Sequence, residues 1–204
     1  MTALFTSESV SAGNPDKLCD AISDAIVDAC LNIDSSARVA VETMVKGMPK
    51  NAVIILAGEV SLDGDAPDYE AIARATAARI GYTNHAIGMD ATSSDLCDVQ
   101  VNVTTQAANI AQGVDGNSLD DVGPGDQGMM FGYACTETET GGQLHGRYFP
   151  LPAALAQRIC RRLDMVVASD EIDWIRPDGK SQVTVEYDDD GQSLIHISEP
   201  TRPY

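Results

Sequence analysis

The sequence predicts an α+β fold, with helices laid on a mostly antiparallel sheet, on three observations. Two strand-like runs, "ARVAVETMVKG" and "NAVIILAGEVSL", are joined through the turn-like "GMPKN" and read as a hairpin. Three other segments keep apolar residues at helical spacing. The predicted order β-β-α-β lacks the regular alternation of a parallel α/β sheet.

Asn14-Pro15 reads as a helix N-cap followed by proline at the first helical position. Behind it Leu18, Ile22, Ala25, Ile26 and Ala29 form a stripe, with Asp20, Asp24 and Asp28 on another face. The hairpin follows, and then "DYEAIARATAARIGY" as a second helix. "CDVQVNVT" alternates, with Cys97, Val99, Val101 and Val103 opposite Asp98, Gln100 and Asn102, which predicts a half-buried strand. The polar run from Gln112 to Pro124 reads as a long loop of the kind that is usually functional or disordered. "TETETGGQLHGRYF" is irregular. "LPAALAQRICRRLDMVVAS" is a helix with Leu155, Ile159, Leu163 and Val166 on one stripe, and "SQVTVEYDDDG" a strand and turn. "SLIHISEPTRPY" reads as a loose tail.

Composition narrows the function. The 204 residues, 44% hydrophobic and 22% charged, suit one large or two small globular domains. No apolar run reaches the roughly 18 residues of a membrane span, and "MTALFTSESVSAG" lacks the basic and apolar segments of a secretory signal. Five scattered cysteines without a C-x-x-C pair argue against a zinc ribbon or disulfide framework and fit a reducing cytoplasm. The formal charge of −18 repels nucleic acid and anionic lipid.

Four places carry candidate chemistry. In "SAGNPDK" the helix start is either an ordinary capped helix or a phosphate seat, with Asp16 able to hold Mg²⁺ and Lys17 beside it. In "GPGDQGMMFGYA" the spacing Gly123, Gly125, Gly128 satisfies G-x-G-x-x-G, but the strand-then-helix setting of a dinucleotide loop is missing. That loop is either a tight turn or a site holding Asp126 and Gln127. Glu42 and Glu59 lie within apolar runs of the hairpin, either on its solvent face or buried against a cation. Lys180, between Gly179 and Ser181, is an ordinary turn lysine on these terms.

Together "LFTSESVSAGNPDKLCDAISDAIVDA", "VETMVK", "AGEV", "IAQGVD", "GPGDQGMMFGYA" and "RPDGKSQVTVEYDDD" resemble, in order, the S-adenosylmethionine synthetase (methionine adenosyltransferase) family. The resemblance spans residues 4 to about 191, roughly the first half of the family's chain. It implies subdomains built of a sheet with helices on one side: an N-terminal one over 1–120, an incomplete central one over 121–191, and a non-matching tail over 192–204. It implies that methionine sulfur attacks C5′ of ATP, that triphosphate leaves and is split, and that Mg²⁺ and K⁺ assist. It further implies active sites between paired subunits, hence a homodimer or homotetramer, in the cytoplasm. Residue by residue, Asp16 matches a Mg²⁺ ligand and Glu42 a K⁺ ligand. Glu59, Gln112 and Asp126 match methionine-binding positions. Asn14, Asp178 and Lys180 match ATP-binding positions, Asn14 and Lys180 being catalytic. The polar run from Gln112 to Asp121 resembles the family's gate.

The chain departs from that pattern. Asn14 stands where the family has a histidine that stabilises the departing oxygen, and asparagine cannot carry a positive charge. Asn109, Pro124 and Gln157 are further departures. The expectation is a synthetase fragment that is inactive alone. The competing expectation is a non-catalytic paralogue or regulatory partner that binds a full-length subunit.

Overall fold

The computed structural model describes residues 3–105, 129, 131–139, 142–169 and 171–188, and the backbone of 193–201. The fold is α+β. In chain order the elements are β1 (Ala3–Val10), α1 (Pro15–Ile33), β2 (Arg38–Gly47), β3 (Ala52–Ser61), α2 (Tyr69–Ile80), the short β4 (Thr83–Asn84) and β5 (Met89–Asp90), β6 (Cys97–Thr105), α3 (Leu151–Ala168), β7 (Lys180–Tyr187) and β8 (Ser193–Thr201). They form two compact units, residues 19–132 and residues 1–18 with 133–204, and the division falls inside α1.

In the first unit β2 and β3 make the expected antiparallel hairpin, with Glu42 opposite Ala57 and Glu59 opposite Ala40. β6 then lies parallel to β3, with Ala52 opposite Cys97 and Glu59 opposite Thr104. This pair departs from the antiparallel expectation. A parallel neighbour requires a crossover, and α2 supplies it. One sheet face buries Ala52, Ile54, Leu56 and Cys97 completely. On α1, Leu18, Ile22, Ile26 and Cys30 are likewise buried while Asp20, Asp24 and Asp28 stay exposed. Ser23 on α1 and Thr43 on β2 share a hydroxyl hydrogen bond of 2.8 Å.

α2 begins at Asp68, whose carboxylate accepts the Ala71 amide at 2.9 Å, and ends at Gly81 in the left-handed region. Arg74 on its inner side donates to the Ala91 and Cys97 carbonyls at 3.3 and 3.0 Å, tying helix to strand. Burial raises the Cys97 thiol above its ordinary range, as it does the Cys30 thiol, so both are inert packing groups.

The second unit is the sheet β1-β7-β8 with α3 on one face. β1 escapes the sequence reading because "ALFTSESV" has no apolar alternation. Its pairing with β7, Ala3 opposite Tyr187 through Val10 opposite Lys180, makes it a strand. Ser181, Val183 and Val185 of β7 are buried beneath Ala156 and Cys160 of α3. The predicted α3 stripe packs inward: Val166 is buried, Leu155 and Ile159 are half-buried against Ala156, Val183 and Val185, and Leu163 is half-buried, while the smaller Ala156 and Cys160 are buried more deeply. Residues 193–201 are a strand antiparallel to β7, where a loose tail was expected. Backbone pairing with a well-formed neighbour, rather than side-chain pattern, organises that segment.

The irregular segment before α3 is tied down by two acids. Glu139 accepts the Gly146 and Tyr148 amides at 2.6 and 2.7 Å. Glu137 accepts the Leu151 amide at 3.1 Å. Pro150, the N-cap of α3, has no side-chain cap, so a carboxylate distant in sequence serves the helix start.

Candidate functional site

The turn between β1 and α1 meets the turn before β7. Ser11 donates its amide to the Gly179 carbonyl at 2.8 Å and its hydroxyl to the Pro177 carbonyl at 2.6 Å. Gly13 donates to the same Pro177 carbonyl at 3.2 Å. A Cβ on Gly13 would lie 2.3 Å from the Pro177 Cβ, so only glycine admits this approach.

Beyond Gly13 the chain enters α1 through Asn14, as the N-cap reading expects. The Asn14 side-chain oxygen accepts the Asp16 amide at 3.2 Å, and its carbonyl accepts the Leu18 amide at 2.8 Å. The Asn14 side-chain nitrogen donates to the Asp178 carboxylate at 3.2 Å. Asn14 and Asp178, 164 positions apart, are thus joined directly. Asp16, Lys17 and Asp178 are exposed around this contact.

Lys180 lies on the sheet face turned away from α3, because its neighbour Ser181 points inward. There its ammonium pairs with Glu8 at 2.5 Å, both side chains being over 40% exposed. A pair this exposed contributes about 0–1 kcal/mol, so an anion of higher charge can take the lysine over. Glu8 is a neighbour that sequence reasoning missed. No local pattern marks it, and only the β1–β7 register brings it to Lys180.

Glu42 and Glu59 belong to the other unit. The hairpin register puts them on one sheet face, diagonal to each other, with Gln100, Asn102 and Thr104 of β6 on the same face. That face is the polar one, so the solvent-face alternative is what the strands show: Glu42 is exposed and Glu59 half-buried. Gly58 beside Glu59 has φ 147°, and a Cβ there would lie 2.0 Å from the Ala40 carbonyl oxygen. The glycine in "AGEV" thus lets β2 and β3 close at Glu59.

Gln112, Asp126, the glycine-rich loop from Gly123 to Gly128 and the polar run from Gln112 to Asp121 lie outside the described residues. Among the described residues no three His, Cys, Asp or Glu side chains converge as metal donors. Asp16 and Glu42 are each a single hard carboxylate. Either would hold an ion only together with oxygens from elsewhere, such as a phosphate chain. Among the same residues no helix is long and apolar enough to cross a membrane.

The family model for the S-adenosylmethionine synthetase N-terminal domain matches residues 2–108, and the one for its central domain matches residues 121–199. The chain belongs to the S-adenosylmethionine synthetase family. Both turns of the site fall inside these matches, one in each. The contact between Asn14 and Asp178 is therefore a contact between the N-terminal and central domain segments of a synthetase-family chain.

Proposed function

We propose that this chain supplies ATP- and methionine-binding groups of an S-adenosylmethionine synthetase, which joins methionine sulfur to C5′ of ATP and releases phosphate and pyrophosphate. The observation that carries this reading is the Asn14–Asp178 contact in a chain of this family. It joins the start of α1, which bears Asp16, to the turn that leads through Asp178 into Lys180. The positive end of the α1 dipole and the Lys180 ammonium suit a triphosphate.

In this reading Asn14, Asp178 and Lys180 bind ATP, Asp16 is a Mg²⁺ ligand and Glu42 a K⁺ ligand. Glu59 takes the methionine ammonium, with Gln112 and Asp126 completing that subsite. Bound Mg²⁺ would neutralise phosphate charge. Lys180 would leave Glu8 for the leaving triphosphate, and Asn14 would donate one hydrogen bond where a cationic imidazole could do more. We further propose an N-terminal subdomain over 1–120 and a central one over 121–191, cytoplasmic residence, and a homodimer or homotetramer as the working form. Catalysis belongs to that whole enzyme rather than to these 204 residues alone.

One observation favours a second reading, a non-catalytic paralogue or partner that binds a full-length subunit. Asn14 already spends its side-chain oxygen on the Asp16 amide and an amide proton on Asp178. It is committed to holding the turn. Calorimetric titration with MgATP, followed by a methionine-dependent turnover assay of the whole enzyme, tests both. MgATP binding lost in Asp16→Asn, with turnover, supports the synthetase. Binding to a longer subunit without turnover supports the partner, and absence of MgATP binding overturns the first reading.

A further inference from the structure

The two turns that carry the proposed nucleotide-binding groups are held by residues that bear none of those groups. Asp164 lies near the end of α3, where an acid is disfavoured by the helix dipole and where the last turn holds no basic residue. Its carboxylate accepts the Ala12 amide at 2.9 Å. Ser11, 1% exposed, sends both its donors to the Pro177–Gly179 turn. Every amide from Ser11 to Gly13 therefore has an acceptor on α3 or on the turn before β7. This leaves the segment entering Asn14 little freedom.

We propose that Asp164 and Ser11 are positioning residues of the nucleotide site, fixing the Ser11–Asp16 turn against the Pro177–Lys180 turn. The inference rests on the reading of that site as a triphosphate site. The physical argument is one of pre-organisation. Asn14, Asp16, Asp178 and Lys180 come from two segments, and a small relative displacement of those segments spoils simultaneous contact with one phosphate chain. Asp164 acts as an acceptor and not as a charge. Its negative charge would by itself repel a phosphate, so its presence is explained by the bond that it accepts.

The test uses the full 204-residue chain and titrates it with MgATP and, separately, with magnesium tripolyphosphate, with circular dichroism as the folding control. Asp164→Ala and Ser11→Ala are expected to weaken both ligands about tenfold, the scale of one hydrogen bond lost at a positioned site. Asp164→Asn keeps an acceptor without the charge and is expected to stay within about threefold of the unsubstituted chain. Ser11→Thr keeps the hydroxyl and is expected to restore part of the loss. Tighter binding in both Asp164 variants would mean that the residue acts only through its charge, and overturns the proposal. Unchanged binding in Asp164→Ala and Ser11→Ala overturns it as well. If Asp164→Ala does not fold, Ser11→Ala and Asp164→Asn decide together: a roughly tenfold loss in Ser11→Ala with affinity kept in Asp164→Asn supports the proposal, and unchanged binding in Ser11→Ala, or affinity lost or raised tenfold in Asp164→Asn, sinks it. No binding of either ligand by the unsubstituted chain defeats the reading of the site and the proposal with it. Binding that is indifferent to Asp164 and Ser11 defeats the proposal only.

Discussion

The Asn14 side chain bridges two segments, donating to the Asp178 carboxylate at 3.2 Å while accepting the Asp16 amide at the start of α1. One residue thus caps a helix and fastens it to a turn from the far end of the chain. Its replacement has two separable effects. Asn14→Ala removes the cap and should cost about 1 kcal/mol of stability, read by urea denaturation. Asn14→His places a cationic donor at the same turn. In the whole enzyme it should raise turnover, on the order of 10²–10³-fold if a charged donor is what the reaction lacks. An unchanged rate would show that another group already serves the leaving oxygen.

Gly13 tests the close approach of the two turns. The added methyl of Gly13→Ala would collide with Pro177, whose atoms lie within 2.3–2.6 Å of the Cβ position. Overpacking of this kind costs about 1–3 kcal/mol. Because the turn must open to admit the methyl, MgATP affinity should fall with it. A thermal midpoint and affinity equal to those of the unsubstituted chain would place the turns further apart than described.

The two faces of the β2-β3-β6 sheet should respond differently to truncation. Leu56 is completely buried, and Leu56→Ala should destabilise by about 2–5 kcal/mol in chemical denaturation. Asp98, exposed on the polar face, should tolerate alanine within about 0.5 kcal/mol. Equal effects would mean that the strand register differs by one residue.

Acid should loosen the segment before α3. Glu139 is held below the ordinary glutamate range, first by the Gly146 amide and then by the Tyr148 amide. Burial alone pushes Glu137 up, but hydrogen bonds from Tyr187, the Leu151 amide and Cys135 outweigh it and hold the group down. Both folded-state values lie below the unfolded value of about 4.3. Their contribution is therefore fully present above that pH and is lost as pH falls through the lower folded values. The thermal midpoint of Glu139→Gln should start lower than that of the unsubstituted chain at pH 7 and converge with it toward pH 3. Parallel curves would dissociate the amide bonds from the carboxylate charge. Tyr187, raised by burial and then by its bond to Glu137, stays protonated throughout this window.

Much of the molecule is readable from residue order. The α1 stripe of Leu18, Ile22 and Ile26, the cap at Asn14, the β2–β3 hairpin and the alternation of β6 all follow from local spacing and capping chemistry. The ordered motifs also pointed to the family, because their residue types and order are specific even where their contacts are unknown. The candidate roles of Asn14, Asp16, Asp178 and Lys180 came with that resemblance rather than from spacing.

Tertiary structure decided the rest. β1 has no strand pattern of its own and becomes a strand by pairing with β7, 177 positions on from Ala3 to Lys180. Residues 193–201 pair with the other edge of β7 in spite of their loose composition. The parallel setting of β6 on β3 depends on the α2 crossover. Glu8, Ser11 and Asp164 join the site only because strand register and a helix end bring them there. Local sequence encodes period and turn, which act over a few residues. Partners separated by more than 150 positions are chosen by which backbone groups and apolar faces remain to be satisfied once the chain has folded back on itself.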